Sequence, residues 1–228
     1  MPAKNSIKMY IDNGYYHIYN RGVNKRTIFK KKIDYKVFLN ELKTALSPPP
    51  KPNDLKVRFT LKGGTFKGIP RQPKNFHKEI MLLAYCLMPN HFHLLIRQLS
   101  KNSMPSFMRS ITTRYAMYFN TNNRRVGPLF QGSYKAVLVE DDNHFLHLTR
   151  YIHQNPFKLR EGLLKNYPYS SYAEYLGLRN TSWIHPEDIL AFFRKRRREK
   201  KFDISSYESF VDLKDNKNQE VLKGLTLD

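Results

Sequence analysis

Two apolar runs, 79–87 and 91–97, are separated only by Met88-Pro89-Asn90. This pattern reads as two adjacent strands in the middle of a sheet, joined by a tight turn. Around that pair the rest of the chain falls into place. Residues 15–20 (YYHIYN) read as an earlier strand ending in a turn at Arg21-Gly22. A helix over 34–46 follows, with Tyr35, Phe38, Leu39, Leu42 and Leu46 at helical spacing, until Ser47-Pro48-Pro49-Pro50 stops it. Pro105 begins a second amphipathic helix, on which Met104, Phe107, Met108, Ile111, Tyr115 and Tyr118 share a face. A strand over 134–139 comes next, then a helix capped by Asp141-Asp142 that runs to Asn155 and ends at Pro156.

These elements define a core domain over 14–157, after a tail at 1–13. It carries a basic, Pro- and Gly-rich insertion at 47–78 whose strand-like piece, 57–61, suggests an excursion or extended hairpin. Residues 158–228 read as a basic accessory region with one helix candidate, 186–198, pinned to the core by Tyr169, Tyr172, Tyr175 and Trp183.

Charge narrows the partner. Among 228 residues, 40 Lys plus Arg face 19 Asp plus Glu, a formal charge of +21, which points to a polyanion. A hydrophobic content of 40% with 14% aromatics excludes wholesale disorder. One cysteine, Cys86, excludes a disulfide framework or a Cys-rich zinc module. No apolar run approaches the roughly 20 residues of a membrane span, so a cytoplasmic, nucleoid-associated protein is expected. Between Glu79 and Glu140 there is no acidic residue, while Arg97, Lys101, Arg109, Arg114, Arg124, Arg125 and Lys135 fall inside. A metal site built there has to use histidine or amide oxygen rather than carboxylate. A second basic run, Arg194 to Lys201, is either a solvated face or a phosphate contact.

His91 and His93 alternate with Phe92 inside a strand, so both imidazoles project from one side and can share a divalent cation. Downstream, Tyr151 and Asn155 are four apart on a helix and present a phenol and an amide together. Two imidazoles and an amide oxygen give a hard-cation site with open positions for a phosphate and water. A tyrosine hydroxyl aimed at a metal-polarised phosphodiester is a nucleophile that leaves a covalent phosphotyrosine.

With YHIYNRGVNKRTIF upstream, GPLFQGSYK between, and MPNHFHLLI and YIHQNP carrying these residues, the sequence resembles the REP-associated tyrosine transposases, relatives of the single-tyrosine HUH insertion-sequence transposases. The resemblance covers roughly residues 14–176. It implies an α+β, ferredoxin-like (RRM-like) core with a central antiparallel sheet, Mg²⁺ or Mn²⁺ as cofactor, and single-stranded DNA carrying a hairpin as substrate. It also implies His91 and His93 as metal ligands, Asn155 as the third ligand at a position held by Gln in many relatives, and Tyr151 as nucleophile. The polar turn Asn20, Arg21, Asn24, Lys25 and Arg26 and the loop residues Arg124, Arg125, Gln131 and Lys135 are then expected to contact DNA. The stretch 51–78 is longer than this family leads one to expect. Relatives act as monomers or homodimers.

Tyr115, a rival nucleophile, falls on the apolar stripe of its helix and is read as core. His144 and His147, seven and four residues before Tyr151, are considered as proton shuttles against the plainer reading of partly exposed helix histidines. His17, His77 and His185 have no partner at useful spacing. Two other functions compete: a DNA-binding protein that no longer cleaves, and a relaxase or replication initiator of the HUH type, which the carboxylate-free stretch disfavours.

Overall fold

The structure, a computed structural model, describes residues 9–159, 164–199, 206–212 and 222, with Lys158 and 195–199 defined by backbone alone. The elements in chain order are β1 (Tyr15–Arg21), α1 (Lys32–Leu46), β2 (Val57–Leu61), β3 (Gly64–Gly68), β4 (Ile80–Met88), β5 (His91–Gln98), α2 (Ser103–Asn122), β6 (Lys135–Val139), α3 (Asp142–Gln154), α4 (Tyr172–Tyr175), α5 (Glu187–Glu199) and α6 (Tyr207–Asp212). Four strands form one antiparallel sheet in the order β4-β5-β1-β6, and β2 and β3 form a separate ribbon. A strand-helix-strand-strand-helix-strand succession in that sheet order is the ferredoxin-like arrangement expected.

The sheet is covered on both faces, which is why β4 and the middle of β5, Leu94 to Ile96, are apolar at successive positions. Phe92, Leu94 and Ile96 of β5 face one layer with Phe38 and Leu42 of α1 and Phe107, Ile111 and Tyr115 of α2. Leu95 faces the other layer with Leu83, Cys86 and Met88 of β4 and Phe145, Leu148 and Ile152 of α3. Alternation lets β4 serve both layers, Leu82 and Tyr85 in the first core and Cys86 in the second, and at the bulge between Leu82 and Ala84 two successive residues, Leu83 and Ala84, join the second. Each such side chain, taken from water, contributes about 1.5–3 kcal/mol.

The second layer extends beyond α3. Tyr172, Tyr175, Phe193, Tyr207 and Phe210 complete it. The C-terminal chain also closes the outer edge of β4: Leu87 N–H donates to Tyr169 O (2.9 Å), Ser171 N–H to Tyr85 O (3.0 Å) and His185 N–H to Leu82 O (2.9 Å). His153 ties this layer to α3, with Nδ1 2.7 Å from Tyr207 Oη and Nε2 2.8 Å from Ser171 Oγ, and burial pushes its pKa down to about 3. The described part of 164–212 is therefore one side of the core rather than an appendage. The tyrosines expected to pin it do so, Tyr169 by stacking on Tyr35 at 3.8 Å.

Strand direction gathers the motifs. β1 ends, and β5 and β6 begin, at the same edge of the sheet, with Arg21 opposite His91, Tyr19 opposite His93, and Lys135 opposite Tyr19. α3 returns antiparallel to β6, so its C-terminal turn, with Tyr151 and Asn155, arrives at that edge too. Its first turn is fixed by Asp141, which accepts from His144 N–H at 2.8 Å, as the capping residue was expected to do.

Candidate active site

His91 and His93 project from the β5 face that packs under α3, and their rings lie edge to face with centroids 5.0 Å apart. Tyr151 closes the group from above, its ring edge-on to His93 at 5.4 Å. Asn155 caps α3 one turn later, and its Nδ2 donates to Tyr151 O at 2.9 Å. With the amide nitrogen spent there, Oδ1 is buried with no hydrogen-bond partner among the described residues. A buried amide oxygen left unsatisfied costs about 1–3 kcal/mol, and a cation held at the turn of Tyr151, whose ring meets His93, would satisfy it.

The histidine tautomers fit the same reading. Asn90 Nδ2 donates to Lys25 O (3.3 Å), which turns Asn90 Oδ1 toward His91, 2.6 Å from its Nδ1. An amide oxygen only accepts, so this contact favours a proton on His91 Nδ1, the tautomer in which Nε2 could ligate a cation. On the other imidazole, His93 Nδ1 lies 2.9 Å from Nε2 of His17, and both rings are fully buried. His93 can ligate through Nε2 when Nδ1–H donates to His17. The donor set of two imidazoles and an amide oxygen suits a hard divalent ion with open positions. Among the described residues no cluster of three or more His, Cys, Asp or Glu offers a rival site.

His17 was missed in the sequence because its partner lies across the β1–β5 pairing, 76 residues away. The alternation in YYHIYN puts His17 and Tyr19 on one face, and only the register reveals that this is the face of His93.

The basic segments converge on the same edge. Gly22 N–H donates to Asn90 O (2.9 Å), Val23 N–H to Leu129 O (3.0 Å) and Gln131 N–H to Arg21 O (2.8 Å), so the 20–26 turn sits between the His91 turn and the 124–135 loop. Gly22 is required there, since a Cβ would stand 2.2 Å from Arg26 O. Asn24 and Lys25 hold left-handed φ values of 53° and 56°, uncommon for side chains of this size and typical of functional rims. Asn24, Lys25, Arg26, Arg124 and Gln131 are exposed, and Arg21 and Lys135 are half-buried.

Two of the residues expected to contact DNA have partners within the protein. Asn20 is buried, donates from Nδ2 to Gly132 O (3.3 Å) and accepts Arg21 N–H (2.8 Å), so it ties β1 to the loop. Arg125 folds its guanidinium onto Asn120 Oδ1, Gly127 O and Pro128 O at 2.6–3.1 Å and shapes that loop from within. The candidate shuttles are placed elsewhere: His144 pairs with Asp141 at the far end of α3, and His147 packs edge-on to Phe210. Tyr115 is core, donating to Ile28 O at 2.5 Å, with its phenol pushed far above the usual range by burial. The run 194–201 lies largely outside the described side chains, and Lys200 and Lys201 outside the described residues. No helix among the described residues is long and apolar enough to cross a membrane.

Residues 71–155 match the profile of the family described as Transposase IS200 like. Among solved structures, the chain is similar to a REP-associated tyrosine transposase bound to a REP hairpin, at 12% identity and TM-score 0.52 over 78% of this chain and 95% of that one. It also aligns with a candidate transposase from Deinococcus radiodurans R1, at 13% identity and TM-score 0.36 over 68% of this chain and 97% of that one. Only the first alignment is close enough to speak to fold, and it agrees with the ferredoxin-like sheet. None of the curated proteins matches the chain. The segment that matches the IS200-like transposase profile is the one that carries His91, His93, Tyr151 and Asn155.

Proposed function

We propose that the chain is a metal-dependent endonuclease and strand transferase acting on single-stranded DNA beside a hairpin, through a phosphotyrosine on Tyr151. The observation that carries this reading is the meeting, at one sheet edge, of His91, His93, Tyr151 and an Asn155 oxygen that no described protein group satisfies. His91, His93 and Asn155 would hold Mg²⁺ or Mn²⁺, which when bound supplies charge to stabilise a pentavalent phosphate. Tyr151 Oη forms the new bond to phosphorus and releases its proton. The P–O3′ bond breaks, and the 3′ oxygen takes up a proton to leave a free 3′-OH opposite a 5′-phosphotyrosine.

Arg21, Lys25, Arg26, Arg124 and Lys135 rim this edge and suit phosphates, which position a strand without reading its sequence. A nucleophile on a helix and a metal on the strand beneath it close on a phosphate from two sides. A stacked duplex does not thread between them easily, so the cut strand is single. The test is a denaturing gel of protein with labelled hairpin DNA. A covalent band from a strand with an unpaired flank, and none from the same sequence as a perfect duplex, is expected. Equal reaction of the duplex, or indifference to scrambling the stem, would refute the proposal.

His17 acts here as a positioning residue, because accepting from His93 Nδ1–H fixes the tautomer whose Nε2 ligates. Second-shell partners of this kind are worth about 10–100-fold in metal affinity. His17→Leu should weaken Mn²⁺ binding, read by electron paramagnetic resonance, by that factor. His17→Gln, whose Oε1 can accept at the place of Nε2, should restore most of it. Equal Mn²⁺ affinity in wild type and His17→Leu would remove His17 from the site.

A further inference from the structure

The 57–68 ribbon belongs to no part of the site, and its construction has a specific consequence. Lys62 and Gly63, with φ of 48° and 81°, make the two-residue turn that joins β2 to β3. No other described element packs extensively on the ribbon. A lone two-stranded hairpin is marginal in water. Its own stabilisation is a small aromatic cluster on one side: Phe59 faces Phe66 across the strands, rings stacked at 5.5 Å, and covers Gly68.

The opposite side is cationic. Arg58 stands directly across from Lys67, with the Thr60–Thr65 pair beside them. Between Leu55 and Glu79 the chain has seven Lys or Arg and no Asp or Glu. No described carboxylate forms an ion pair with Arg58, Lys62 or Lys67. Like charges directly opposite on a ribbon destabilise it. Here they recur on a hairpin with nothing to spare, which makes sense when a polyanion lies between them.

The form of that polyanion follows from which face carries the rings. Surfaces that take single strands place cations and aromatic platforms along one groove, so that bases stack while phosphates are neutralised. On this ribbon rings and charges point to opposite sides. A strand on the charged face finds nothing to stack on, whereas a duplex, whose bases are already stacked, needs only phosphate contacts.

Location sets the length of duplex. The 47–76 excursion leaves and rejoins the core at the C-terminal end of α1, where Asn75 Nδ2 donates to Ser47 O (2.8 Å) and Phe76 N–H to Ala45 O (2.7 Å). The N-terminal end of α1 is next to the catalytic turn, where Phe29 N–H donates to Pro89 O (3.0 Å). Fifteen helical residues span about 22 Å, or about six base-pair steps of 3.4 Å.

We propose that the Arg58–Lys67 face of the ribbon, whose foot stands one α1 length from the 88–90 turn, holds the phosphates of the hairpin's duplex stem about six base pairs from the cleavage point. This rests on hairpin DNA being the substrate, as proposed above.

The experiment measures binding without cleavage. Full-length protein carrying Tyr151→Phe is titrated with hairpins of four- and twelve-base-pair stems between 50 and 200 mM salt, with and without Arg58→Gln/Lys67→Gln. Before the ribbon substitutions the long stem should bind more tightly. After them that advantage should vanish, and the slope of log affinity on log salt should shrink by about two for the long stem alone. In the chain that keeps Tyr151, the same two substitutions should leave the cleavage rate at saturating DNA unchanged. An unchanged slope, or equal loss on both stems, overturns the ribbon's role. So does a Phe66→Ser variant that changes sedimentation while the cation substitutions change nothing, which would mark a protein partner. If wild type binds hairpins but forms no covalent band, the nuclease reading fails and the ribbon reading stands.

Discussion

Tyr151→Phe is expected to abolish the covalent DNA adduct, with hairpin binding within about twofold of wild type. The substitution removes one oxygen and keeps the ring that packs edge-on to His93 at 5.4 Å and to His17 at 6.2 Å. Asn155 is undisturbed, because its anchor is the backbone carbonyl of residue 151 and not the phenol. In the proposed function binding rests on cations around the edge, which Tyr151 does not supply. Tyr115→Phe should behave in the opposite way. It leaves Ile28 O without its buried donor, a loss of about 1–3 kcal/mol in denaturant unfolding, and it should not prevent the adduct. An adduct that survives in Tyr151→Phe would move the nucleophile elsewhere, and the same gel run on both variants reads the outcome.

Local pattern carried much of this fold. The β4–β5 pair, the α3 cap and the His91/His93 alternation are properties of neighbours in sequence, governed by periods of two and 3.6 and by a turn of two residues. Tyr151 and Asn155 were legible for the same reason, although Asn155 works as a helix cap that folds back on residue 151 and not as an interior position. What escaped depends on pairing between distant segments. His17 has meaning only in the register of β1 on β5. Asn20 looked like a surface polar residue until the loop at Gly132 came to meet it. The aromatic residues after 164 showed no run long enough to announce a layer, yet together with α3 they complete one face of the sheet. The extended hairpin that 57–61 suggested is present, although its second strand, GTFKG, is too short and glycine-rich to read as a strand by itself and exists because β2 pairs with it.

Removing the metal should have the other large effect. The proposed donors at this edge are two imidazoles and one amide oxygen, all of which would ligate in neutral form, so the site would lack the carboxylates that give divalent ions high affinity. The ion should therefore be held weakly and come away in modest excess of chelator, ending cleavage, and Mg²⁺ or Mn²⁺ should restore it. Hairpin binding should persist in chelator, since it depends on Lys and Arg side chains and on salt. His93→Ala and His91→Ala should each lower cleavage by orders of magnitude without lowering hairpin affinity to match. Asn155→Asp separates ligation from architecture. It places a charged oxygen where the buried amide oxygen stands and gives up the Nδ2 bond to Tyr151 O. Mn²⁺ affinity should rise in that variant, while Asn155→Leu should lose both the metal and the tether. Cleavage that continues at full rate in excess chelator, or Mn²⁺ affinity indifferent to every substitution at 91, 93 and 155, would place the chemistry outside this edge.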